Sequence, residues 1–226
     1  VAIDYNKRKP AAAAGGDGGG PVSLSKVTLT KASPSISLSK QSGQLRVNLN
    51  WDARSPEPAK GGFLKKLAAA AARPIDLDLG CLYELNDGSK GVIQALGNSF
   101  GSLEQAPYIF LNGDDRSGAN SGGEDMFINL AHAKDIRRVL VFACIYDGAP
   151  SFDQANGVVT LTPASGAPIE VRLDEQAGGS RMCAIALLEG GGGDLKIRRE
   201  VRYVEGAQDA LDDAYGWGLT WARGRK

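Results

Sequence analysis

What most constrains this chain is a two-residue alternation of apolar and polar side chains that returns many times along it. Leu45, Val47, Leu49 and Trp51 alternate with Arg46, Asn48 and Asn50. A period of two places alternate residues on opposite faces of an extended strand, so this run reads as a strand with one face buried. Ile75, Leu77, Leu79, Cys81, Tyr83 and Leu85 form a second apolar row, which puts Asp76 and Asp78 on the other face. Asn86-Asp87-Gly88 follows as a tight turn into residues 92–96. Further strand-like runs lie at 108–111, 126–130, 138–146, 157–162, 169–173, 182–188 and 195–204. Short strands punctuated by Gly, Pro, Asn and Asp predict an all-β fold, an antiparallel β-sandwich. Residues 139–145 are apolar throughout and predict a central strand covered on both faces. Residues 207–215 predict a short C-terminal helix. Segments 22–30 and 36–40 share Ser-Leu-Ser-Lys and are expected to form an edge hairpin.

The two ends of this pattern set the domain limits. Residues 1–21 are a basic, alanine- and glycine-rich stretch with too little apolar surface to offset its ordering entropy, and are expected to be a disordered tail. One domain is expected over 22–226. Within it, 53–74 breaks the strand pattern with prolines, a Gly-Gly pair and an alanine run, and is expected to be a flexible insertion. Its Phe63-Leu64-Lys65-Lys66-Leu67 segment permits a short helix able to dock a partner or a membrane surface.

Charge narrows the function classes. Lys plus Arg equal Asp plus Glu at 26 each, a balance that argues against nucleic-acid binding. The three cysteines, Cys81, Cys144 and Cys183, sit in apolar stretches without CxxC spacing, which supports neither a disulfide framework nor a zinc site. No apolar run reaches the length of a membrane span and no secretory leader opens the chain, so a cytoplasmic, soluble protein is expected.

The acids carry the chemistry. Asp76 and Asp78 project from one strand face about 7 Å apart. The glycine-rich segment 112–125 offers further oxygens from Asn112, Gly113, Asp114, Asp115, Glu124 and Asp125. Hard oxygens on strand ends and turns suit Ca²⁺, which takes six to eight of them in irregular geometry. Two carboxylates 5 Å apart repel by roughly 3 kcal/mol at an effective dielectric near 20, so a convergent cluster needs a cation. The alternative is that these acids are solvated turn and cap residues that never meet. The spacing is not that of an EF-hand: counting from Asp114 puts Arg116 and Gly118 where ligands belong.

Catalytic readings are weaker. The single histidine, His132, has no nucleophile beside it, and the cysteines read as buried hydrophobes. Gly190 to Gly193 lacks the Lys-Ser or Lys-Thr of a phosphate loop and reads as a hairpin turn. A non-enzymatic binding protein is therefore expected. Three versions are separable. In a calcium-binding scaffold, Trp217 and Trp221 pack on the core. In a calcium-dependent carbohydrate or small-ligand binder, they stand exposed beside the acids. Thiol-based metalloid chemistry requires an exposed cysteine of low pKa.

The motifs also carry a resemblance. The Ser-Leu-Ser-Lys segment, Val47-Asn48-Leu49-Asn50-Trp51-Asp52, Ile75-Asp76-Leu77-Asp78, Gly113-Asp114-Asp115-Arg116-Ser117-Gly118, Gly123-Glu124-Asp125 and residues 139–147 together resemble the bacterial tellurium-resistance (Ter) stress-protein family. Tyr215-Gly216-Trp217-Gly218-Leu219-Thr220-Trp221 is more similar to its TerA branch than to TerD. The resemblance implies a TerD-like β-sandwich with Ca²⁺ held by acids at the sheet end, Asp76, Asp78, Asp114, Asp115, Glu124 and Asp125. It implies a role in tellurite and stress resistance with other tellurium-resistance proteins as partners, in the cytoplasm near the inner membrane. The chain departs from the TerD-type loop by having Gly122-Gly123 before Glu124 and Arg116 beside the acids.

Overall fold

A computed structural model describes residues 25–39, 42–51, 76–113, 122–147 and 151–222. The expected tail at 1–21, the insertion at 53–74, and Asp114 and Asp115 lie outside these residues.

Two sheets pack face to face. The first runs β1 (Val27–Thr28), β11 (Ile169–Arg172), β10 (Val158–Thr162), β3 (Gln44–Asn50), β8 (Glu124–Asn129), β7 (Ile109–Leu111), β6 (Gly101–Ser102). The second runs β2 (Ser35–Leu38), β13 (Asp194–Val204), β12 (Met182–Gly191), β9 (Ile136–Asp147), β4 (Asp76–Leu85), β5 (Lys90–Gln94). Every named pairing is antiparallel except β1 on β11. The expected sandwich is present, with one short α-helix among the described residues, α1 (Gln208–Tyr215), near the C-terminus.

The edge hairpin expected from 22–40 does not form. β1 pairs with β11 in one sheet, whereas β2 pairs with β13 in the other. The link through Lys31 to Pro34 has neither Gly nor Asn to close a two-residue turn. It folds on a Thr30 N–H to Ser33 carbonyl bond and carries the chain from one sheet edge to the other, with Leu29 buried on the way.

Alternation builds the core between the sheets. Leu45, Val47 and Leu49 of β3, Met126 and Ile128 of β8, and Leu77, Leu79 and Cys81 of β4 are fully buried there. Burying each such side chain contributes roughly 1.5–3 kcal/mol, so this layer dominates stability.

The outer face of the second sheet is also covered, which makes β4 buried on both sides. Its residues lie in four cross-strand rows. One is charged: Lys196, Glu189, Arg138, Glu84, Lys90. The next is mainly apolar: Arg198, Leu187, Leu140, Leu82, Val92. Then come Arg202, Ala184, Phe142, Gly80 and Gln94, and finally Val204, Met182, Cys144 and Asp78. The C-terminal segment lies over this face. Gly216 ends α1 in the left-handed region at φ 63°, and Trp217 is 1% exposed against Leu82, Leu140 and Phe142. Asp212, itself buried, accepts from Gly218 N (2.6 Å), Leu219 N (2.8 Å) and Trp221 Nε1 (2.7 Å) and so pins the strap.

Candidate metal centre at the acidic end of the sandwich

Strand register brings one end of the molecule together. β4 and β8 start there, and β3, β7 and β9 finish there. Asp76, Asp78 and Glu124 lie at that end and are 7%, 5% and 3% exposed. They are not solvated turn residues.

Each has a local reason for its place. Leu77 and Leu79 face the core, so period two turns Asp78 to the outer face, opposite Cys144 on β9. The register shifts between Asp76 and Leu77, which opens the start of β4. Glu124 continues the inward row of Met126 and Ile128, and its Oε2 accepts the Leu79 amide proton across the sandwich at 2.6 Å. β5 ends opposite Gly80, so this carboxylate covers an edge that β5 has left. Gly123 makes the approach possible: its φ is +68°, and a β-carbon there would overlap the Leu49 carbonyl oxygen.

Asp125 goes elsewhere. One residue past Glu124, it takes the outer face of β8, where Arg46 holds both carboxylate oxygens at 2.8 and 3.0 Å. Asn48 Nδ2 adds a bond to Asp125 Oδ1 at 2.8 Å and another to the Gly122 carbonyl at 2.6 Å. The hydrogen bond to Asp125 also raises the Arg46 pKa. Asn112 stands across from this pair, its N–H on the Asp125 carbonyl at 2.8 Å, and Gly113 turns at φ +85°. The structure thus brings Asp76, Asp78 and Glu124 to one end, fixes Asn112 and Gly113 beside them, and sends Asp125 to the far side of β8. The signal for that split was in the sequence, since the Met126–Ile128 alternation extended backwards separates Glu124 from Asp125.

As donors for a cation, these groups are all hard oxygens, which fits Ca²⁺ or Mg²⁺ rather than a soft metal. Among the described residues no three His, Cys, Asp or Glu side chains converge as a metal-binding group.

The other chemical candidates are placed clearly. Cys81 and Cys183 are fully buried, and burial pushes both thiols well up, the opposite of a reactive thiolate. Cys144 is half-buried, with its Sγ 4.0 Å from Asp78 Oδ2. His132 stacks on Tyr108 at 3.7 Å and bonds Asp135 Oδ2 at 2.9 Å. Trp217 donates Nε1 to the Tyr83 carbonyl at 2.9 Å, and Trp221 is tied to Asp212, so both tryptophans are bound up in the strap.

No family model matches the chain. It is 46% identical over 207 residues to a tellurium resistance protein TerA from an Alcaligenes species, an alignment covering 91% of this chain and 60% of that protein. A solved structure of a protein of unknown function aligns at TM-score 0.50 with 18% identity, covering 74% of this chain and 92% of the other. A homologue of telluride resistance protein (TerD) from Streptomyces coelicolor A3(2) aligns at TM-score 0.48 and 22% identity, over 72% of this chain and 90% of the other. Over nine-tenths of its length, 91%, the chain is thus similar to a tellurium resistance protein TerA. It spans about three-fifths of the length of the curated relative it matches.

Proposed function

We propose that this chain is a non-enzymatic, calcium-binding module of tellurite resistance that acts as a scaffold among other tellurium-resistance proteins. The similarity to TerA supports the tellurite role. The observation that carries the metal reading is the burial of Asp76, Asp78 and Glu124 at the end where β7 stops and β8 begins. Asp76 and Asp78 would hold the ion from the second sheet, and Glu124 would hold the first sheet against it. Residues 114 and 115 would complete the shell. A bound Ca²⁺ would neutralise the carboxylates and clamp the two sheets at this end. The ordered surface so formed is the proposed docking face for a partner in the cytoplasm, at the inner membrane surface. No helix among the described residues is long and apolar enough to cross a membrane, so membrane contact in this reading runs through partners or through the 63–67 segment.

Calorimetric titration of chelator-treated protein with Ca²⁺, with Mg²⁺ as the control, tests the reading. Saturable heat that disappears in an Asp76→Asn, Asp78→Asn double variant is expected. Absence of heat in the parent, with no change in melting temperature, would defeat the calcium assignment. Survival on tellurite of cells carrying either form tests the resistance role separately.

A further inference from the structure

We propose that the cleft between the edge strand β5, the start of α1 and the end of the strap binds an uncharged planar heterocycle with a lactam edge, a ring carbonyl beside an N–H. The cleft measures about 420 Å³, within the range of small-molecule sites. Gln94, Leu96, Gln208, Asp209 and Trp221 stand around it. Gln94 belongs to the outer-face row of Phe142 and Gly80 and is only 9% exposed. Its Oε1 accepts from Gln208 Nε2 at 3.0 Å. That single bond leaves Gln94 Nε2 as a donor, and Gln208 Oε1 as an acceptor, with no partner among the described residues. A side-chain amide this deeply buried normally has both of its polar ends satisfied, so the open donor facing the cleft marks where a ligand oxygen belongs.

The chemistry selects the ligand. Trp221 gives its Nε1 proton to Asp212 Oδ2 at 2.7 Å, which fixes the half-buried indole and leaves its ring to stack. Leu96 adds apolar surface. The open donor and acceptor of the glutamine pair match the carbonyl and the N–H of one ring edge. The start of α1 selects neutrality. Ala207 caps it with no side-chain bond, and the exposed Asp209 carboxylate, which takes the Ala210 N–H at 2.9 Å, sets a negative charge at the rim. That charge repels an anion which the helix start would otherwise attract. Pyrimidines and flavins both carry a lactam edge. None of these residues is among those proposed to hold Ca²⁺.

Titration of the full chain with riboflavin, followed by flavin emission, and with uridine, followed by calorimetry, tests the site. Saturable binding of at least one is expected, and the tighter of the two assigns the source. Its N3-methyl derivative, which lacks the N–H, should bind about tenfold more weakly. Gln94→Met, close in volume, should cause a similar loss. Gln208→Ala, at a partly exposed helix position, should reproduce that loss without touching the sheet, and melting curves confirm that both variants fold. Trp221→Phe, which keeps a smaller ring, should weaken binding about threefold. The 5′-phosphate of the ligand should bind no better than the ligand itself. Failure of both probes to bind would overturn the site, as would equal affinity of wild type and the two glutamine variants. Equal affinity for the N3-methyl derivative would overturn the lactam edge. Tighter binding of the 5′-phosphate would overturn the uncharged class.

Discussion

The two ends of β4 both bury acids, and they treat them differently. At its C-terminal end Glu84, 3% exposed, faces cations from neighbouring strands: Arg138 Nε at 2.7 Å, Arg137 Nη1 at 2.8 Å and Lys90 Nζ at 3.9 Å. Burial alone would push its carboxyl up. The Arg138 hydrogen bond and the charges of Arg138, Lys90 and Arg137 outweigh burial and hold it below the ordinary value. At the N-terminal end the neighbours are of another kind, a thiol beside Asp78 and a backbone amide beneath Glu124. One end is a charge ladder closed by the protein's own cations. The other buries Asp76, Asp78 and Glu124 at strand ends.

The largest effect should come from breaking the closed end. Trp217 lies under Arg138, whose guanidinium is 3.7 Å from the ring, and Lys90 bonds its carbonyl. Trp217→Ala should cost about 3–5 kcal/mol, read by chemical denaturation. Next is the open end. At a hundredfold excess over its dissociation constant, Ca²⁺ should raise the stability of the parent by about 2.7 kcal/mol. The Asp76→Asn, Asp78→Asn variant should show no such gain in the same melts.

Glu84→Gln should cost about 2 kcal/mol, because charged hydrogen bonds are lost while Arg138 keeps partial solvent access. It should leave calcium titration untouched, which separates the two ends. The sign of its pH dependence follows from the lowered carboxyl. The Glu84 contribution is fully present above the unfolded carboxyl range and is lost as pH falls through the lower folded value. Acid unfolding of Glu84→Gln should therefore be shallower than that of the parent. The smallest effect belongs to the Arg46–Asp125 pair, where Arg46 is 46% exposed. Arg46→Ala should cost no more than about 1 kcal/mol. Asn48→Ala, which releases the Gly122 carbonyl as well, should lower calcium affinity more than it lowers stability. Equal losses in both would make Asn48 a plain structural residue.

Much of the fold was legible because strand alternation is a local property. Leu45, Val47 and Leu49 announce β3, and Leu77, Leu79 and Cys81 announce β4, with Asp76 and Asp78 on the reverse face. The Gly190 to Gly193 turn joins β12 to β13 as its composition predicts. The pairing of β1 and β2 was not legible, since repeated Ser-Leu-Ser-Lys segments say nothing about which sheet each one joins. Nor was the covering of the outer face, which depends on a strap more than 120 residues away from Leu82 in the chain.

The site divides along the same line. Sequence alone determined that Asp76 and Asp78 share one face of a strand, because side-chain direction along a strand follows from its neighbours. It put Glu124 in the glycine-rich segment before the next strand, whereas β8 begins at Glu124 itself. Only the tertiary structure decided which partners these directions meet, the Leu79 amide for Glu124 and the Arg46 guanidinium for Asp125. Only it placed Cys144 and Met182 in line with Asp78. Register is set by pairing between distant segments, and a slip of one residue would send every one of these side chains to the opposite face.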